Sequence, residues 1–365
     1  MMRARWAFAA LFVAAAAGAQ KSVTSKKAAR DTVRTPHDSA KVSRFFQSQE
    51  PITATLTTNI KRLKGDKVDK DGNAPWRAAT LSYTGADGAA VEMPIKVKVR
   101  GIWRLKNCEF PPVRINFSSS VAKPTVFRGL DKPKLVSYCR DQDEYEDYVL
   151  REFQLYRIYQ LLSPASHAVR LMRLTYVDSA SGKKLATRYG FMEEEPYSVA
   201  IRVNGRMLKI AGALPDDLAP FQSALVGVFQ YMIGNTDFGL GALHNAELLG
   251  MPSGEYWPVV YDFDFSGAVN AKYATVDPRL RNHTVRERLY RGYCVPLETY
   301  LKVFALFNAK KDAIYALYAD SLGKRLRPAD VKETLRYFDD FYKTINDPPS
   351  ATQSIAEACL GTKPK

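Results

Sequence analysis

Histidine is scarce in this chain. His37, His167, His244 and His283 are the only four, and no HExxH pair occurs, so a histidine-rich zinc centre is excluded. A GxSxG nucleophile elbow, a Walker A loop and a GxGxxG loop are also absent. Their absence removes the α/β-hydrolase, P-loop and dinucleotide-binding classes. Beyond residue 20 no apolar run is long enough to cross a bilayer. There is no internal repeat, and the four cysteines, Cys108, Cys139, Cys294 and Cys359, include no CxxC pair, which excludes zinc held through sulfur.

What is there starts with residues 1–19. Two arginines, an apolar run from Trp6 to Ala17 and an Ala17-Gly18-Ala19 triplet before Gln20 have the form of a secretory signal peptide cleaved after Ala19. The expected product is exported, either periplasmic or secreted. Residues 20–48 are polar, basic and aperiodic and read as a flexible leader. An apolar fraction of 46% is ample for a core. The net charge is +15, and +13 without Arg3 and Arg5. In an exported protein this favours anionic partners, phosphorylated ligands or an envelope component, over nucleic acid. An even cysteine count in such a protein implies disulfides. Cys108 precedes one strand-like run and Cys139 ends another, while Cys294 and Cys359 flank the C-terminal helical patterns, so the expected bridges are Cys108 with Cys139 and Cys294 with Cys359.

From Pro51 the pattern is that of strands. ITATLTTNI, AATLSYT and VEMPIKVKVRGIW alternate apolar and polar residues around a GADG turn, and FPPVRINF and PKLVSY add two more. Asp141 to Leu162 carries a broad apolar stripe with acids in its first turn, as a helix prefers. Arg170 to Val177 and Leu185 to Met192 read as strands joined at Ser181-Gly182, and helices are expected at 218–233, 296–308, 311–321 and 327–346. This divides the chain into a β-rich N-lobe with one long helix (49–195) and a mainly helical C-lobe (196–365). The expected fold class is α+β, a two-lobed protein-kinase-like fold.

Two polar clusters carry the chemistry. Asn235, Asp237, His244 and Asn245 follow an apolar helical run and Gly234, and so lie on a loop; Asp262 and Asp264 close the strand-like run WPVVY before Ser266-Gly267. A loop carboxylate and amide followed by a strand-end carboxylate is an arrangement that serves phosphoryl transfer: one Asp for the acceptor hydroxyl, an Asn and another Asp for magnesium. Asn and Asp beside Gly are also ordinary turn residues, and either cluster alone reads as structural. Asp262-x-Asp264-x-Ser266 further resembles the nucleophile motif of haloacid-dehalogenase phosphatases. That family opens on the motif and continues with alternating strands and helices, whereas only helical patterns follow here.

Such a site needs a cation for the nucleotide phosphates and a carboxylate to hold the cation. Lys134 on PKLVSY and Glu152 midway along the next helix fit the pairing, with Lys132 and Arg114 as alternative cations. Glu193-Glu194-Glu195 sits where a hinge would be, and Arg279, Arg281, Arg286, Arg288 and Arg291 line a loop-rich stretch that reads either as a basic surface or as an anion site.

From about Lys96 to Gly267 the chain resembles the CotH-like atypical protein kinases, and more distantly the HipA-like kinases. The residues that carry the resemblance are Val99-Arg100-Gly101 followed by FPPVRINF, the Lys134 strand, Arg151-Glu152, GNTD at 234–237 and YDFD at 261–264. The resemblance implies ATP with Mg²⁺ or Mn²⁺ and transfer to protein Ser or Thr. Asp237 would be the catalytic carboxylate, Asp262 and Asn245 the metal ligands and Asp264 a helper on the same strand face. Asn245 comes eight residues after Asp237 where HipA-like loops use five, and Phe110-Pro111-Pro112 stands where the family often has lysines. A catalytically inactive pseudokinase that binds or scaffolds in the envelope, and a metal-dependent phosphohydrolase, therefore stay open.

Overall fold

Alternating apolar residues between residues 52 and 193 build a β structure whose closure the pattern does not announce. In a computed structural model, which describes residues 43–69, 72–101 and 103–361, a short helix α1 (Arg44–Gln47) precedes β1 (Ile52–Thr58), α2 (Ile60–Gly65), β2 (Arg77–Thr84) and β3 (Ala90–Val99). Next come α3 (Trp103–Asn107), β4 (Val113–Asn116), α4 (Ser119–Ala122), β5 (Lys134–Val136), the long α5 (Asp143–Leu162), β6 (Val169–Asp178) and β7 (Lys184–Glu193). The rest comprises α6 (Pro196–Arg202), β8 (Arg206–Leu208), α7 (Pro220–Ile233), β9 (Ala246–Gly250), β10 (Tyr256–Val260), α8 (Leu297–Ala316), α9 (Pro328–Asn346) and α10 (Pro348–Ala351). The expected signal peptide and most of the leader lie outside the described residues.

Strands β1 to β7 form a closed barrel in the order β1-β2-β3-β4-β5-β7-β6. Neighbours are antiparallel except where β1 meets β6 in parallel, Ile52 opposite Met172 through to Thr58 opposite Asp178. This seam overturns the expected two-lobed, protein-kinase-like fold, because the β-rich half is a closed mixed barrel and not an N-lobe sheet. Alternation says which face of a strand is buried, but not which distant strand it will pair with. Closure leaves β1 no free edge. The interior holds Leu56, Leu81, Val97, Ile115, Leu174 and Met192. Phe45 and Phe46 of α1 join the same core, with Phe45 stacked on Phe127 at 5.3 Å. The last residues of the expected flexible leader are therefore structured.

Helix α5 is buried on most of its surface and packs against β7, α7 and α8. The two helices expected at 296–308 and 311–321 are one, α8, because Asn308 to Lys311 contains no glycine or proline to break it. A small sheet in the order β10-β9-β8 sits in the half expected to be mainly helical. Both expected disulfides are present, Cys108 with Cys139 and Cys294 with Cys359. The first joins segments flanking the paired strands β4 and β5. Among the described residues no helix is long and apolar enough to cross a membrane.

Candidate active site

Helix α7 stops at Gly234, whose φ of +66° is a left-handed cap that glycine adopts without steric cost. The chain then enters the loop bearing Asn235 and Asp237. The buried Asn235 side chain accepts the Asp237 N–H (3.0 Å). Gly239 and His244 exchange both backbone hydrogen bonds (2.9 and 3.0 Å), folding the loop back so that His244 and Asn245 flank Asp237. His244 Nε2 lies 2.7 Å from Asp237 Oδ1. Asn245 Nδ2 donates to Asp237 Oδ2 (3.0 Å) and to the Asp237 carbonyl (2.8 Å). The tight turn between Gly239 and His244 thus absorbs the longer spacing and still brings the amide to the carboxylate. His244, a member of the first cluster with no role assigned from sequence, touches Asp237 directly.

The second cluster meets the first at the end of the β9-β10 ribbon. Val260 pairs with Ala246, and the Tyr261 N–H donates to the Asn245 carbonyl (3.1 Å), extending the ladder by one rung. Three non-glycine residues are left-handed on this stretch, Leu243 (φ 52°) in the loop and, at the ribbon end, Asn245 (φ 48°) and Asp262 (φ 64°). Such backbone carries a cost of about 1–3 kcal/mol at each residue and concentrates at functional sites. The Asp262 N–H is held by the Tyr156 hydroxyl (2.9 Å), and the Phe263 N–H by Glu152 Oε1 (3.3 Å). Because β10 ends at Val260 and Asp262 turns the chain, Asp264 does not share a strand face with Asp262 as expected. It comes back to Asp262 through the turn.

Glu152, Asp262 and Asp264 form one acidic group. Burial, then the negative charge of Asp262, pushes the Asp264 carboxyl up to about 7, although Arg104 and the Tyr273 hydroxyl (3.1 Å) favour its charged form. Burial, then Asp264 and Asp262, raises Glu152 well above the ordinary carboxyl range. Neither side chain has solvent to spread its charge, so one carboxylate makes the next harder to ionise. Arg104, reaching in from α3 and donating to the Ser137 carbonyl, supplies compensating positive charge. Trp103 beside it meets Phe265 and Tyr273 at ring distances of 6.2 and 5.4 Å.

The cation side departs from expectation. Lys134 does not pair with Glu152: its ammonium lies 2.6 Å from Glu193 Oε1 and 3.9 Å from the centre of the Tyr261 ring. Cross-strand register explains this, since Lys134 of β5 stands opposite Glu193 of β7, whereas Glu152 is turned to the Phe263 amide. Burial raises the Glu193 carboxyl, but Lys134, His167 and Arg100 together outweigh it and leave it below its ordinary value. Glu193 also accepts from Tyr156 (3.4 Å), so one buried chain of contacts runs Lys134, Glu193, Tyr156, Asp262. The fully buried His167 donates to the Glu194 carbonyl (2.8 Å) between Glu193 (3.6 Å) and Glu247 (3.5 Å). Glu194 is paired with Arg202 (2.8 Å), and Glu195 accepts from the Asp131 N–H (3.1 Å). The acidic triplet is occupied within the protein.

Most of the later arginines are occupied too. Arg288 donates to the Tyr231 carbonyl (3.1 Å) at the end of α7, Arg286 to the Gly267 carbonyl (2.7 Å) and Arg291 to the Thr236 carbonyl. They satisfy backbone acceptors that a helix end and tight turns leave open. Sequence reasoning missed Tyr156, Glu193 and Arg104. A buried tyrosine in a helix reads as packing, and only the fold shows whose amide its hydroxyl holds.

Among the described residues no three His, Cys, Asp or Glu side chains are placed to hold a metal by themselves. The donor set nonetheless suits a hard divalent cation: two carboxylates, Asp262 and Asp264, and Asn245 Oδ1, which accepts no hydrogen bond among the described residues. Mg²⁺ is commonly held by one or two carboxylates with substrate phosphates completing its shell. Two cavities of about 670 and 710 Å³ lie elsewhere, one against Leu326 and Leu335 and the other against Asp217 and Cys294. No protein-family model and no curated protein matches the chain.

Proposed function

We propose that the protein is an exported CotH-like phosphotransferase that moves the γ-phosphate of ATP to a protein Ser or Thr with Mg²⁺ or Mn²⁺, on a barrel-based scaffold. The observation that carries this reading is the convergence of Asp237, Asn245 and Asp262 at one ribbon end, two of them in left-handed backbone. A bound metal would neutralise phosphate charge. Asp262, Asp264 and Asn245 would hold it, and Lys134 would steady the phosphates. Asp237, with its side chain 40% exposed, orients the acceptor hydroxyl and takes its proton as the new O–P bond forms and ADP leaves. One observation favours the inactive, envelope-binding reading: both Asp237 carboxylate oxygens are already engaged, by His244 and Asn245.

A thermal-shift panel of residues 20–365 with ATP, GTP, Mg²⁺ and Mn²⁺ separates the two. Metal-dependent stabilisation by nucleotide is expected for the phosphotransferase, and no shift with any pair selects the binding protein.

A further inference from the structure

Strands β3, β4 and β5 place cations directly opposite one another, Lys98 facing Arg114 and Arg114 facing Lys134. The residues between them, Val97, Val99, Val113, Ile115 and Leu135, are buried in the barrel. Strand alternation therefore puts the three cations on the outer wall. Like charges directly opposite each other destabilise a sheet, and only Lys134 is neutralised, by Glu193. Neither Lys98 nor Arg114 has an ion-pair partner among the described residues. Arg114 donates to the Lys132 carbonyl (3.1 Å) and Lys98 lies 5.1 Å from the Trp76 ring centre. Arg100, just past β3, has a buried Nε with no hydrogen-bond partner among the described residues.

Burial, then Arg100, lowers the Arg114 pKa, and burial, then Arg114, lowers that of Lys98. Glu193, Glu195 and Glu247 around Arg114, and Asp69 near Lys98, offset this only in part. The row is held at a cost that an anion would relieve.

The row starts at the acidic site, because Lys134 covers the ring of Tyr261 next to Asp262. It then leads away. With neighbouring strands about 4.8 Å apart, Lys98 stands roughly 10 Å from Lys134 across the wall. A nucleotide concentrates its charge in the phosphates at the metal, so cations continuing this far call for a second anionic group.

We propose that Lys98, Arg100 and Arg114 recognise the acceptor, and that the acceptor is an acidic protein segment with Asp, Glu or phosphorylated residues near the hydroxyl that is modified. The word acceptor rests on the phosphotransferase reading; the binding of an acidic segment does not.

The test uses fluorescein-labelled peptides carrying one Ser among glutamates or among lysines, read by anisotropy with the full exported chain, without metal or nucleotide. The acidic peptide binds, and its affinity falls as NaCl rises. Lys98→Gln combined with Arg114→Gln weakens it at least tenfold with a melting temperature no lower than the parent's, while Lys98→Arg with Arg114→Lys retains it. Equal binding of the basic peptide, or parent-like binding by the double Gln variant, overturns the proposal. Adding Mg·ATP then separates the two readings. If acidic peptide binds through the row but no peptide is phosphorylated, the phosphotransferase reading falls and the acidic-partner surface stands.

Discussion

Asp264 is a carboxyl that burial and Asp262 together hold protonated up to about pH 7, and Glu152 shifts in the same direction. An acid with a raised folded pKa contributes stability that is full below its unfolded value of about 4 and is lost as pH rises through the folded value. The melting temperature of the metal-free protein is therefore expected to carry a falling component between about pH 4 and 7 that levels off above it. Asp264→Asn, which cannot ionise, flattens that component, and thermal denaturation across the range reads it; an unchanged slope contradicts the acidic group described here. At Tyr156 the expectation differs. Tyr156→Phe strips the Asp262 N–H of its acceptor, at a cost of about 1–3 kcal/mol for a buried amide left unpaired. Urea unfolding measures the loss, and Mn²⁺ titration should show weaker binding as the left-handed turn at Asp262 relaxes. A destabilised variant with parent-like Mn²⁺ affinity would make Tyr156 a packing residue only.

Among the elements, α3 depends on a covalent tie. It carries Arg104 and Trp103 to the acidic group, and Cys108, the residue after it, is bonded to Cys139 across 31 residues. Removing the bridge with Cys108→Ser and Cys139→Ser is expected to cost about 2–4 kcal/mol in denaturant unfolding. A loss well below 1 kcal/mol would show that β4 and β5 hold the segment unaided. What was legible at this scale was local. α5, α7 and α9, the hairpin at Gly85 to Gly88 and the loop after Gly234 follow from side-chain period and from glycine's conformational freedom. The Cys108–Cys139 bridge followed from strands being neighbours, and Cys294–Cys359 from cysteines that flank the C-terminal helices. The Lys134 partner was not legible, because Glu193 reaches it through a pairing between β5 and β7 that sequence distance hides. Nor was the turn at Asp262, where an apparent strand end is a left-handed residue held by a helix tyrosine.

For the whole molecule, the decisive feature is the seam between β1 and β6, which alternation alone could not foretell. Thr55 lies between Ser82 of β2 and Thr175 of β6, so its N–H and carbonyl face a paired strand and not solvent whichever side they point to. Thr55→Pro is expected to destabilise by at least about 1–3 kcal/mol, since it removes a donor and leaves an acceptor unpaired. Tolerance of proline there, read by thermal unfolding, would mean that β1 is an edge and the barrel is open. The barrel sets α5 behind the ribbon end where Asp237, Asn245 and Asp262 meet, and in the proposed reaction Asp237 and Asp262 divide the labour of phosphoryl transfer. Calorimetric titration of Mg·ATP and Mn·ATP, paired with phosphate transfer to an acidic protein, tests it most directly in the parent, Asp237→Asn and Asp262→Asn. Asp237→Asn is expected to keep nucleotide affinity within a few-fold and lose turnover, and Asp262→Asn to lose metal-dependent binding itself. Parent-like binding and turnover in both variants, or no nucleotide binding by the parent with either metal, would contradict the account.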